Sequence, residues 1–145
     1  MKRPAHPGRW VLLGLALCIA LALFLLYRPR TAADVLSPHG TGLTYGEVIC
    51  TSAGPTSETI TCTPAQLEQL EDWFAHSTLR WFTPDGGQFQ PYEKAGYVLA
   101  LATADGSYTI TLTDLGTFCY HGHIYQILDG LEEFLTLFPP AGPSA

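Results

Sequence analysis

Cys119, His121 and His123 occupy alternate positions in CYHGHIY, residues 119–125, and a thiol with two imidazoles is a ligand set suited to zinc or copper. Side chains alternate across a strand, so a straight strand would aim all three at one face. A two-residue turn at His121-Gly122 would scatter them instead. Glycine suits the second position of a type I′ turn, and histidine tolerates positive φ better than most residues. Tyr120 then lies opposite His123, Phe118 opposite Tyr125 and Cys119 opposite Ile124, so Cys119 and His123 point to opposite faces and His121 sits at the tip. Structural zinc also wants four converging ligands, and nothing in the sequence brings His39 or His76 near. The turn is the reading adopted, with a metal-handling or redox site on Cys119, His121 and His123 as the alternative.

Other chemistry is sparse. Nucleophilic catalysis needs a Ser or Cys within reach of an oriented base, and the local pairing of Cys119 with either histidine is split by the same turn. Glu71-Asp72 and Glu132-Glu133 fall on exposed faces of predicted helices. The chain carries no P-loop, GxGxxG, HExxH or nucleophile elbow. The expectation is therefore a non-enzymatic protein without a cofactor. Binding has a better candidate in WFTPDGGQFQPY, residues 81–92, where Trp81, Phe82, Phe89 and Tyr92 surround a glycine-rich turn. Exposed aromatics on a loop make ligand or protein contacts; folded back, they form a lid on the core.

Cys50 and Cys62 become directly opposed if the first hairpin pairs symmetrically, Ile49 with Thr63 and Thr51 with Thr61. Opposed Cα atoms lie about 4.5 to 5.5 Å apart, within disulfide range. The sequence thus predicts a bridge, worth about 3 kcal/mol in the chain-entropy model, against two half-buried thiols. Cys119 is the odd cysteine, with no Lys or Arg near it in sequence to lower its pKa.

These groups must be positioned by a chain of 145 residues whose charge is sharply divided. Residues 1–30 hold five of the seven bases and no acid; residues 31–145 hold Arg80 and Lys94 against thirteen acids, a net charge of −11. So acidic a domain repels nucleic acid phosphates, which excludes nucleic acid as a partner, and bulk charge argues equally against anionic lipid headgroups.

Residues 10–27, WVLLGLALCIALALFLLY, carry no charge, are bracketed by Arg9 and Arg28, and have Trp10 and Tyr27 at their ends. Such a run as a helix just spans a hydrocarbon core of about 30 Å, with aromatics at both interfaces. It is longer than the roughly 7 to 15 residues of a signal-peptide apolar region, and the candidate cleavage site Thr31-Ala32-Ala33 is poorly formed, so an uncleaved anchor is preferred to a signal peptide. Lipid attachment at Cys18 is disfavoured by the bulk of Leu17 before it. Three bases and the amino terminus on one side, against Arg28 and Arg30 on the other, favour residues 1–9 as a cytoplasmic tail and the C-terminal part outside the cell membrane.

Residues 28–44 read as a juxtamembrane linker, being Pro, Gly and small polar residues without periodicity, and 139–145 as a disordered tail. Between them, residues 46–51 and 58–62 read as a hairpin. Thr63-Pro64-Ala65-Gln66 is an N-cap, a first-turn proline and a capping-box glutamine, opening a helix whose apolar stripe is Leu67, Leu70 and Phe74, widened by Trp73. Residues 79–92 read as an aromatic connection. YVLALATADGSYTITLT is a hairpin with Asp105-Gly106 as its loop, pairing Leu101 with Ile110 and Leu99 with Leu112. A last helix, capped by Asp129 with Glu132, carries Leu131, Phe134, Leu135 and Phe138 to the stop at Pro139-Pro140. The expected domain, 45–138, is α+β: a small antiparallel sheet with two helices on one face, in the order ββαββ(ββ)α. The functional reading is a single-pass, membrane-anchored extracytoplasmic module that binds a protein or an envelope component; a domain that merely stabilises a membrane complex through its helix is a further possibility.

Overall fold

The computed structural model describes residues 7–51, 57–84 and 96–140. An apolar helix, α1 (Pro7–Tyr27), is followed by β1 (Arg30–Thr31), α2 (Ala32–Leu36), β2 (Leu43–Thr51), β3 (Ser57–Thr61), α3 (Pro64–His76), β4 (Thr78–Pro84), β5 (Gly96–Thr103), β6 (Gly106–Thr113), β7 (Thr117–Tyr120), β8 (His123–Asp129) and α4 (Leu131–Leu137). The strands form a single antiparallel sheet in the order β1-β4-β8-β7-β6-β5-β2-β3. A meander, β5 to β8, is flanked by the β2–β3 hairpin on one side and β4 with β1 on the other. Consecutive strands β3 and β4 therefore lie near opposite edges, and α3, which joins them, must cross the sheet. That path explains its apolar stripe: Leu67, Leu70, Trp73 and Phe74 are all buried.

The class of fold is as the pattern predicts, α+β with helices gathered on one sheet face. Alternation does the sorting. Val48, Cys50, Tyr97, Leu99, Leu101, Tyr108, Ile110, Leu112 and Phe118 face the helices and join Leu70, Trp73, Phe74 and Phe134 in one core. On the other face a single row, Ile49, Val98, Thr111, Cys119 and Ile124, runs across consecutive strands, all of it half-exposed.

Several elements differ from expectation. The stretch read as a linker holds β1 and α2: the Thr31 hydroxyl caps α2 by accepting from the Asp34 N–H at 3.1 Å, and Ala32 and Leu36 are fully buried. The aromatic connection begins as a strand, β4, paired to β8 and β1. The β5–β6 turn is centred on Ala104-Asp105, so Leu101 faces Tyr108 and Leu99 faces Ile110. Thr103 explains the displacement, because its hydroxyl accepts from the Asp105 N–H at 3.3 Å and closes the turn earlier. A slip of two residues keeps every side chain on its face, so the core is unaltered. Gly130, in the left-handed region at φ 94°, caps α4 in place of Asp129, whose carboxylate accepts from the Gly130 N–H at 3.0 Å. The opening of α3 is as expected, with Thr63 and Gln66 forming the reciprocal capping box and Pro64 in the first turn. The tail reading at 141–145 lies outside the described residues.

Tyr97, in the core row between Cys50 and Leu112, is almost fully buried, and its hydroxyl has no hydrogen-bond partner among the described residues. Burial, with smaller contributions from Cys50 and Asp114, pushes its phenol up to about 12 from the ordinary 10.0. Burial likewise raises the Tyr108 phenol. Above pH 10 the unfolded chain gives up phenolic protons that the folded chain keeps, so stability falls as pH rises until the folded phenols titrate in turn. The denaturant midpoint should accordingly drop between pH 10 and 12. Tyr97→Phe should flatten part of that drop at little loss near neutrality, since the hydroxyl it removes is unpartnered.

Candidate functional site

The CYHGHIY turn forms as its residues suggest. His121 has φ 48° and Gly122 φ 72°, the two successive positive values a type I′ turn requires. Tyr120 faces His123, Phe118 faces Tyr125 and Cys119 faces Ile124. Cys119 thus stands on the open face with Ile124, while His123 lies on the helix-bearing side and His121 at the tip. The three alternative ligands are not brought together, and among the described residues no group of three or more His, Cys, Asp or Glu converges on a point.

The cysteine bridge is corrected. Cys50 pairs with Glu58, not Cys62, and the Cys62 N–H donates to the Gly46 carbonyl at 2.8 Å, placing Cys62 four residues along β2 from Cys50. That offset is about 13 Å of strand, against a disulfide's Cα limit of about 6.8 Å. β2 pairs Thr51 with Ser57, four residue numbers from the Thr61 that the symmetric register would place there, and the bridge depended on that register. Neither Cys50 nor Cys62 is in a disulfide. Burial raises both thiols, assisted at Cys50 by Glu58, which disfavours the nucleophilic thiolate. Alkylating the unfolded protein without reductant should label all four cysteines in the intact mass; two labels missing from Cys50 and Cys62 would restore the bridge.

The aromatic candidates divide. Phe89 and Tyr92 lie outside the described residues. Trp81 and Phe82 sit on β4, where pairing steps from Trp81↔Tyr125 to Thr83↔Ile124, so Phe82 is the extra residue of a bulge. Bulges re-aim side chains, and Phe82 is 65% exposed. It borders a shallow groove of about 200 Å³ with Leu115, Thr117, Ile124, Tyr125 and Gln126.

Trp81 is half-buried in a cluster that draws on three distant parts of the chain. Its indole N–H donates to His123 Nδ1 at 3.3 Å. The Tyr27 ring, at the end of α1, meets it edge-on with centroids 5.5 Å apart. Tyr125 faces it across the ladder, its phenol raised by burial and pulled partly back by the Arg30 charge. Arg30 in turn donates to the Leu25 carbonyl at 3.1 Å, a cation on the C-terminal carbonyls of α1. Tyr27, Arg30, Tyr125 and His123 were not foreseen as partners of Trp81. The signal was there in TLRWFT, whose β-rich character and alternation of Leu79, Trp81 and Thr83 mark a strand that the glycine-rich stretch after it obscures.

A second concave region, about 610 Å³ between α3 and α4, is lined by Glu68, Gln69, Asp72, Glu133, Thr136 and Leu137. His76 stands beside it, 3.3 Å from the Asp72 carboxylate. Its pKa is raised, first by the Asp72 carbonyl and then by the Asp72 charge. This is an acidic, solvated groove, and among the described residues it gathers no group of three or more metal-ligating side chains.

The helix α1 is long and apolar enough to cross a membrane from Gly8 to Tyr27, and none of that span is buried against the rest of the chain. Together these features define a class, an α+β domain carried on an apolar N-terminal helix of the kind used as a membrane anchor or a signal sequence. Comparison with protein-family models, with curated proteins and with solved structures finds no match to this chain.

Proposed function

We propose that the chain is a single-pass, membrane-anchored extracytoplasmic binding module, held by an uncleaved α1 with its N-terminal side inside, and that its contact surface is the aromatic edge at Trp81 and Phe82. The observation that carries this reading is the fate of Thr31-Ala32-Ala33, where a signal peptidase would have to cut. Thr31 pairs with Thr78 of β4, its hydroxyl caps α2, the Ala32 N–H donates to the Ser77 carbonyl at 3.2 Å, and Ala32 is fully buried. Cleavage there would take out β1 and unpick α2, so retention of the apolar helix is the course that leaves the fold whole. The distribution of bases in the first thirty residues supports the orientation, and the exposed Phe82 beside a bulge supports a surface used for contact.

The experiment follows the full chain with a C-terminal epitope tag in membranes. A full-length species that resists alkaline extraction, with the tag digested by protease added outside, is the expected result. A shortened, extractable species would refute the anchor, and a protected tag would reverse the orientation.

A further inference from the structure

We propose that the partner of this aromatic edge is the bilayer itself: Trp81 and Phe82 lie in the headgroup region of the membrane that α1 spans, with Arg28, Arg30 and Arg80 set against lipid phosphates. The inference rests on α1 being a membrane anchor and specifies what the anchored domain touches.

Length is the first argument. Eighteen residues from Trp10 to Tyr27 rise about 27 Å as a helix, against a hydrocarbon core of about 30 Å. There is no slack to lift Tyr27 clear of the bilayer, so its ring sits at the boundary, where tyrosine is favoured. Trp81 is in edge contact with that ring and shares its depth. Only Arg28 and Pro29 separate α1 from β1, and β1 is already hydrogen-bonded to β4 at Arg30↔Leu79 and Thr31↔Thr78. Two residues reach about 7 Å at most, so the β4 edge cannot stand away from the surface.

Charge is the second argument and is independent of length. The net charge of −11 after residue 30 argues in bulk against anionic surfaces, but the field that a bilayer meets is local. Neither β1, RT, nor β4, TLRWFTP, holds an acid. Among the described residues the bases that follow α1 are Arg28, Arg30 and Arg80, all exposed and all on or next to these two strands. Aromatic rings with arginines beside them, at the end of an apolar helix, are the chemistry of a membrane interface. The acids of α3 and α4 lie at the second groove, and the two nearest acids, Asp34 on α2 and Asp129 opposite Thr78, stand at the Thr78 end of β4, three or more residues along the strand from Trp81 and Phe82.

Fluorescence quenching by phosphatidylcholine brominated at carbons 6 and 7 of an acyl chain tests this on the full chain reconstituted in vesicles. Two proteins are compared. Trp10→Phe leaves Trp81 and Trp73, the latter sealed in the core, and should lose most of its Trp81 emission in brominated vesicles relative to unbrominated ones. Trp81→Phe leaves Trp10 as a reporter of α1 insertion. Quenching of both Trp10 and Trp81 supports the inference. Quenching of Trp10 with Trp81 unaffected overturns it while the anchor stands, and leaves the edge free for a protein partner. No quenching of Trp10 overturns the anchor and the inference with it. As a second probe, Phe82→Trp in a chain carrying both Trp10→Phe and Trp81→Phe should restore the quenching; silence there also overturns the inference.

Discussion

A chain carrying Trp73→Ala should unfold at a far lower denaturant concentration than its parent, by about 3 to 5 kcal/mol of lost stability, the range for deleting a large buried aromatic. Trp73 is fully buried on α3, with ring centroids 5.6 Å from Phe74 and 5.1 Å from Phe134. It is also polar where polarity is needed. Its indole N–H donates to the Gly130 carbonyl at 2.7 Å, on the residue that caps α4. The site has no room to readjust, since a Cβ on Gly130 would stand 3.0 Å from Trp73 Nε1 and 3.1 Å from the Ser77 Cβ. One side chain thus fastens α3, the end of β8 and the start of α4. Trp73→Phe separates the two contributions, keeping most of the ring contact while removing one of two donors to the Gly130 carbonyl, which still accepts from the Phe134 N–H at 3.1 Å. It should cost about 0.5 to 1.5 kcal/mol. Chemical denaturation in detergent, followed by tyrosine and far-ultraviolet signals, measures both variants; equal losses would mean the hydrogen bond, not the packing, carries the site.

Much of this core is legible in the sequence because period and capping agree with the tertiary fold. Thr63-Pro64-Ala65-Gln66 starts a helix by chemistry wholly local to those residues, and Leu67, Leu70 and Phe74 then have one face on which to lie. The His121-Gly122 turn is equally local, two residues that accept positive φ between β-rich runs. What resists reading is register and anything decided by a distant neighbour. The β5–β6 hairpin pairs two residue numbers from the register that an Asp105-Gly106 loop implies, and β2–β3 pairs four from the symmetric register, a displacement large enough to separate Cys50 from Cys62. The aromatic edge is illegible for a different reason. Tyr27, Trp81, His123 and Tyr125 come from a membrane-length helix, a strand mistaken for a loop and a hairpin, and no spacing within any one of them announces the others.

The same limit applies to residues 28–44, and a charge placed at Ala32 exposes it. Read as composition, TAADVLSPHGTGLT is a linker and a substitution in it should be silent. In the fold Ala32 is fully buried, its N–H is held by the Ser77 carbonyl, and Leu36 beneath it is buried with it. The rest of the stretch is tied down as well, the Tyr108 hydroxyl donating to the His39 carbonyl at 2.6 Å and the Glu71 carboxylate accepting from the Leu43 N–H. A carboxylate at position 32 has no buried cation among the described residues to meet it and must stay unpaired, protonate or drive α2 off the sheet. Ala32→Asp should therefore destabilise the domain by about 3 to 5 kcal/mol, as an uncompensated buried charge does. Asp34→Ala, on the exposed side of the same short helix, is the matched control and should change stability by about 0.5 kcal/mol or less. Limited proteolysis of the membrane-bound chain reads the difference directly, with new cleavage near residue 32 expected for the first variant and none for the second. Equal resistance would return these residues to the status of a tether, and with it would go the reason for thinking that the sheet is held fast against the end of α1.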